Sequence, residues 1–205
     1  MLEGVGLPYA VHRVDITAGV QFAPEFLAIS SNYKIPALTD CDATGERRVV
    51  FESDAILIYL AERSGVLLTS HGHRHDEPLS CLFWSASGVG PALGRPPRHL
   101  AAPNRQLELD ASGREVNRLM RGFGKRLNEG PFLAGEYSTA DIAVFTSPQP
   151  TFPAIKTRLR AQVGDTLGVD RWLQTANAWA AVQRGLRASK SRVRQMAAQS
   201  TRPAC

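Results

Sequence analysis

The chain has 205 residues, 43% of them hydrophobic and 21% charged, with a net charge of +5 and an isoelectric point near 9.4. This is the composition of a globular protein of one or two domains that can bury a core. The longest wholly apolar run, Ala55–Ala61, is too short for a membrane span, and the N-terminus lacks a basic-then-apolar signal pattern. Three scattered cysteines, Cys41, Cys81 and Cys205, have neither Cys-x-x-Cys nor zinc spacing, which suits a reducing cytoplasm.

In chain order, residues 1–6 read as a helix end broken at Gly4 and Gly6. Tyr9–Ile16 alternates as a strand, with Ala10, His12, Val14 and Ile16 on one face. Pro24–Ile29 predicts a short helix. Pro36–Asp40 and Val49–Phe51 predict two short strands around a polar Ala43–Glu46 turn. Glu52-Ser53 then opens a helix that is apolar nearly all round and should be buried on two sides. The Ser64–Pro78 stretch, with its SHGHRHDEP tract, reads as a linker. Beyond it the chain turns helical, over Leu79–Leu93 (bent near Gly88–Pro91), Asn104–Leu127, Ser138–Ser147 and Val169–Leu186. Ser138-Thr139-Ala140-Asp141 reads as a capping box, with Tyr137 placed to staple onto Ile142. Trp172 and Trp179, seven apart on one helical face, read as core.

The residues from Asn32 to Glu62 carry the chemistry. An X-Pro bond is the common place for a cis peptide, and Ile35-Pro36 stands at the head of a strand. A turn there would aim the Ile35 N–H and C=O outward, where an extended peptide can pair with them as an added strand. At Glu52-Ser53 the first helical N–H groups lack partners and the positive end of the helix dipole points out, which favours a ligand carboxylate. The Ser53 hydroxyl can donate to that carboxylate, and Glu52 can accept from a ligand ammonium.

The run Asn32-Tyr33-Lys34-Ile35-Pro36-Ala37-Leu38, followed by Glu52-Ser53, resembles the glutathione-binding half of glutathione transferases. Further stretches agree in order and spacing: Gln21–Leu27, Leu82-Phe83-Trp84 with Gly88-Val89-Gly90-Pro91, and Phe132–Ile142, which is similar to the family's folding motif. The chain looks most like the bacterial nu-class branch, whose members are glutathione-dependent disulfide reductases. The resemblance covers roughly residues 1–147 well and the rest loosely. It implies an α/β thioredoxin-like N-terminal domain (1–68) and an all-α C-terminal domain (77–205), in a homodimer. It further implies that glutathione is held through Gln21, Lys34, Ile35, Pro36, Glu52 and Ser53, and that its thiolate attacks a small electrophile or a disulfide. In the family a first strand and turn precede the first helix and carry the residue that touches the glutathione sulfur. Met1-Leu2-Glu3 aligns with the middle or end of that helix, so the fold is expected to be N-terminally truncated and the catalytic residue is unknown. A non-catalytic glutathione-binding or regulatory module, and a scaffold using only the dimer surface, stay open as alternatives.

Other candidates have two readings each. His71, His73 and His75 form either a metal tract or a polar linker. Cys41 is either a redox thiol or an ordinary strand-end cysteine, and Cys81, beside Leu82-Phe83-Trp84, reads as packing. Arg95, Arg98 and His99 either line a second-substrate cleft or are loop charges, and Pro148, Pro150 and Pro153 break any long helix in the segment Pro148–Asp170. No acidic residue follows Asp170, while Arg171, Arg184, Arg187, Lys190, Arg192, Arg194 and Arg202 do. This basic end is read as solvated or frayed, against a nucleic-acid face, because no groove-reading aromatics accompany it. The expectation is therefore of no nucleic acid, no membrane and no metal.

Overall fold

A computed structural model describes residues 1–41, 44–94, 105–146 and 166–188. The chain divides into two compact units, Met1–Val66 joined by the segment that begins at Trp179, and Leu67–Ala178.

The first unit is built on an antiparallel pair, β1 (Ala37–Cys41) and β2 (Arg47–Phe51), in register Ala37↔Phe51 through Cys41↔Arg47. Before it stand α1 (Leu2–Val5), a 3-10 turn over Val20–Phe22, and α2 (Pro24–Leu27). Gly6 ends α1 at φ 68, a left-handed position that glycine occupies without a Cβ penalty. Pro24 opens α2, where its missing N–H costs no hydrogen bond.

The expected strand over Tyr9–Ile16 is not formed. Alternation marks a segment that can be a strand, but a strand exists only through a ladder, and the described residues supply none to this segment. Instead the Tyr9 hydroxyl donates to Glu3 (2.8 Å), and the Asp15 carboxylate accepts from the Thr17 amide and hydroxyl in a local turn.

α3 (Ser53–Ser64) follows β2 and leans on both strands. Leu57, Leu60 and Ala61 form its buried stripe, at the spacing that puts side chains on one helical face. Ile56, Ile58 and Tyr59 are only half-buried, so the helix is less enclosed than its apolar sequence suggests. The Tyr59 hydroxyl donates to Asp40 (2.6 Å), and Arg63 pairs with the same carboxylate, tying α3 to the end of β1.

The expected linker over Ser64–Pro78 is helical in its second part. α4 (His73–Trp84) begins six residues before Leu79 and carries Pro78 inside it, buried. Pro78 removes only the bond its own N–H would make to the first turn of the helix. The bend expected near Gly88–Pro91 is a π-helical turn, Ser85–Val89, in which Gly90 N–H reaches back to the Ser85 carbonyl. Pro91 then lies in α5 (Gly90–Gly94). α6 (Arg105–Glu129) and α7 (Thr139–Thr146) follow. The helix expected over Val169–Leu186 is two helices, α8 (Leu167–Ala178) and α9 (Ala180–Ala188), interrupted at Trp179. Trp172 is buried as expected, while Trp179 is only half-buried and falls with the first unit. There α9 packs on α1, and the Arg184 guanidinium donates to Glu3 (2.6 Å).

Asp141 organises the core of the second unit. Its fully buried carboxylate accepts from the Leu133 amide (3.1 Å), the Ser138 amide (3.1 Å) and the Trp172 indole N–H (2.8 Å). The Ser138 amide bond is one arm of the expected capping box, with Asp141 at the third helical position. Tyr137 sits edge-on to Phe132, 5.5 Å between ring centroids. Trp172 in turn contacts Phe123 and Phe145. α8 approaches α6 closely because residue 168 is glycine: a Cβ there would lie 2.6 Å from Asn128 and 3.0 Å from the Leu127 backbone. Arg171, read from sequence as part of a frayed basic end, instead donates to the Leu127 and Gly130 carbonyls at the end of α6. Lys190, Arg192, Arg194 and Arg202 lie outside the described residues, as do Arg95, Arg98, His99, Cys205, Pro148, Pro150 and Pro153.

Two substitutions test this core. Asp141→Ala strands two buried amides and an indole N–H and is expected to cost about 3 kcal/mol or more of unfolding free energy. Gly168→Ala forces α8 off α6 and is expected to cost about 1–3 kcal/mol. Urea denaturation of each variant measures both.

Candidate functional site

The register of the β1–β2 pair brings the two chemically loaded segments to one end of the sheet. Ala37 pairs with Phe51, so Pro36 and Glu52 are the residues that flank the same rung. The Ile35-Pro36 bond is cis, and the Ile35 side chain is half exposed. Lys34 is exposed, and its carbonyl accepts from the buried Ser30 hydroxyl (2.9 Å). Ser30 also accepts from the Tyr33 amide (3.2 Å), which fixes the turn that leads into the cis bond. Tyr33 has φ 57, and its ring lies 5.8 Å from that of Phe22. That contact brings the 3-10 turn bearing Gln21 against the same loop.

On the other side of the rung, Glu52 caps α3 with φ 70 and ψ 124. A non-glycine residue rarely holds such a backbone and does so only where its surroundings over-determine it. Here β2 ends on one side, and the Glu52 carbonyl accepts the first helical bond from Ile56 (3.0 Å) on the other. Glu52 and Ser53 are both exposed. Asp54 is half-buried; burial raises its carboxyl above the ordinary range, the Ser53 hydroxyl opposes that shift and Glu52 adds to it.

The structure thus brings Lys34, Ile35, Pro36, Glu52 and Ser53 to one end of the sheet, with Gln21 joined to them through Phe22 and Tyr33. The Gln21 carboxamide oxygen is buried and has no hydrogen-bond partner among the described residues. Chemically this end offers an exposed, edge-like backbone, a carboxylate able to accept from an ammonium, and a hydroxyl at a helix start. Sequence reasoning gave Asn32 no role. Its side-chain amide donates to Glu52 across twenty residues at 2.6 Å. Its place two residues before Lys34 and four before Pro36, beside the segment that carries the site, was the available signal.

The remaining candidates lie elsewhere. The histidine tract is spread over the start of α4, where His73 pairs with Glu77 (3.3 Å) and His75 with Asp76 (3.2 Å). No group of three or more metal-ligating side chains is gathered among the described residues. Cys81 is buried, and burial raises its thiol, which suits packing rather than thiolate chemistry. It borders a cavity of about 250 Å³ with Ser80, Trp84, Arg118, Gly122 and Arg126.

The glutathione S-transferase N-terminal domain family matches residues 1–63, the segment that holds this arrangement. The chain is 42% identical over 147 residues to the disulfide-bond oxidoreductase YfcG of Escherichia coli, a match that covers 69% of this chain and 68% of that protein. The chain belongs to the glutathione transferase family. Its fold matches that of a glutathione transferase family member from Pseudomonas fluorescens pf-5 with two glutathione bound, at TM-score 0.80 and 34% identity, over 90% of this chain and 84% of that one. A glutathione transferase from Pseudomonas putida, with one glutathione disulfide bound per subunit, matches at TM-score 0.76 and 34% identity, over 91% and 83% of the two chains. The fold is therefore a thioredoxin-like α/β N-terminal part with a helical C-terminal part, as the sequence implied.

The backbone at residue 52 is testable without a ligand. Because glycine adopts φ 70 without a Cβ penalty, Glu52→Gly is expected to be more stable than Glu52→Ala by about 1 kcal/mol. Paired denaturant titrations of the two variants measure the difference.

Proposed function

We propose that the chain binds glutathione at the β1–β2 end of its first unit and presents the thiolate to a disulfide or a small electrophile. The observation that carries this reading is the placing of the cis Ile35-Pro36 segment and the Glu52-Ser53 helix start on either side of one rung. In this reading the cysteinyl part of the peptide pairs with the Ile35 backbone as an added strand, beside Pro36. The γ-glutamyl carboxylate sits at the start of α3, where the Ser53 hydroxyl and the free helical N–H groups donate to it. The Glu52 carboxylate accepts from the ammonium. Gln21 and Lys34 complete the grip, Lys34 as a cation for the glycyl carboxylate.

Glutathione is the substrate and supplies the reacting sulfur. Its thiolate attacks a disulfide sulfur, forming a mixed disulfide as the original S–S bond breaks and the other sulfur leaves as a thiolate, or adds to an electrophile as in detoxification. The donor that stabilises the thiolate is not assigned. Of the two outcomes, disulfide reduction is favoured by the oxidoreductase at 42% identity and by the relative holding glutathione disulfide.

Residues 1–68 then form the glutathione-binding domain and residues 77–205 the helical domain, whose segment from Trp179 packs with the first unit, in a cytoplasmic homodimer. Within the first unit, the exposed apolar side chains of Val49 and Phe51, two apart on β2, support an apolar contact with a second copy.

Calorimetric titration with reduced glutathione tests the reading. The wild-type chain is expected to bind, and Ser53→Ala is expected to weaken binding about ten-fold, the usual loss for a hydrogen bond to a charged group. Equal affinity in the two proteins would remove Ser53 from the site.

A further inference from the structure

We propose that Asn32 is a positioning residue for Glu52. Its side-chain amide holds one oxygen of the Glu52 carboxylate and leaves the other to accept from the ligand ammonium, which sets a preference for γ-glutamyl peptides with a free α-amino group. The inference rests on the glutathione-binding reading above and deepens it.

The geometry is specific. Asn32 Nδ2 lies 2.6 Å from Glu52 Oε1. An ionised carboxylate only accepts, so the amide nitrogen is the group that must face it. Asn32 is itself held by the turn around it: the Tyr33 amide donates to the Ser30 carbonyl, and the buried Ser30 hydroxyl donates to the Lys34 carbonyl. The bond therefore joins two fixed pieces of backbone across the mouth of the site.

Its contribution to folding is small, because both side chains are exposed and water competes for each partner. Nor is it needed to fix the Glu52 backbone, which the β-pair and the Ile56 hydrogen bond already hold. What it restricts is the side chain. A free glutamate samples many rotamers and loses that freedom when it grips a ligand, so ordering it beforehand strengthens binding.

The choice of donor follows from charge. A lysine or arginine would order Glu52 equally well but would neutralise it and repel an incoming ammonium. The amide of Asn32 orders the carboxylate and leaves its charge intact.

The test compares glutathione with its deamino analogue, in which a glutaryl group replaces γ-glutamyl. Wild type, Asn32→Ala, Glu52→Ala and the double variant are titrated with both peptides, and their melting temperatures are recorded. Wild type is expected to favour glutathione about ten-fold. Asn32→Ala is expected to lower that ratio about three- to five-fold, with analogue affinity and melting temperature unchanged. In the Glu52→Ala background, Asn32→Ala is expected to change nothing further. An unchanged ratio, an equal loss for both peptides, or a loss that persists without Glu52 would overturn the proposal. A wild type that binds both peptides equally would overturn the ammonium-reading role of Glu52, and Asn32's with it, while glutathione binding stands. A wild type that binds neither would overturn the binding reading itself.

Discussion

The rung at Ala37 and Phe51 is the constraint on which the site depends. Antiparallel pairing places the residue before one strand beside the residue after the other. A cis peptide ahead of β1 and a helix start after β2 therefore meet at one sheet end, although sixteen residues of numbering separate Pro36 from Glu52. A slip of one residue would turn every β1 side chain to the opposite face and break this meeting. Tyr59 and Arg63, both bonded to Asp40, brace α3 against the far end of β1.

In the second unit a buried carboxylate plays the corresponding part. Burial raises the Asp141 carboxyl above its ordinary range, and bonds from Leu133, Trp172 and Ser138 oppose that rise. Burial of the Tyr137 phenol, and after it the nearby Asp141 carboxylate, push that phenol up to about 12. A polar group so placed is costly unless satisfied, and when satisfied it fixes which segments meet. Asp141 thus ties the loop before α7, the start of α7 and the face of α8 into one arrangement.

Much of this was legible in the chain. Pro24 and Gly6 mark ends that the structure confirms, because proline and glycine act through local backbone geometry that no distant contact is needed to express. The hairpin, the helix after Glu52-Ser53 and the capping box at Ser138–Asp141 were readable for the same reason. The Tyr9–Ile16 strand was not, since pairing is a property of two segments and the alternation of one cannot supply the other. The start of α4 at His73 was hidden by a tract of histidines and a proline that reads locally as a linker. Trp179 was misread because helical spacing predicts a common face only while the helix continues, and it breaks there.

The sequence by itself determined the residue types and their order: a strand head with an X-Pro bond, a carboxylate and hydroxyl at a helix start, and a carboxylate at the third position of a capped helix. These are local chemistry, written in neighbouring residues. Only the tertiary structure decided that Asn32 reaches Glu52, that Arg171 closes the end of α6, and that Arg184 bonds Glu3. Each of those depends on the distance between segments far apart in the chain, which strand register and helix packing set and local pattern does not encode.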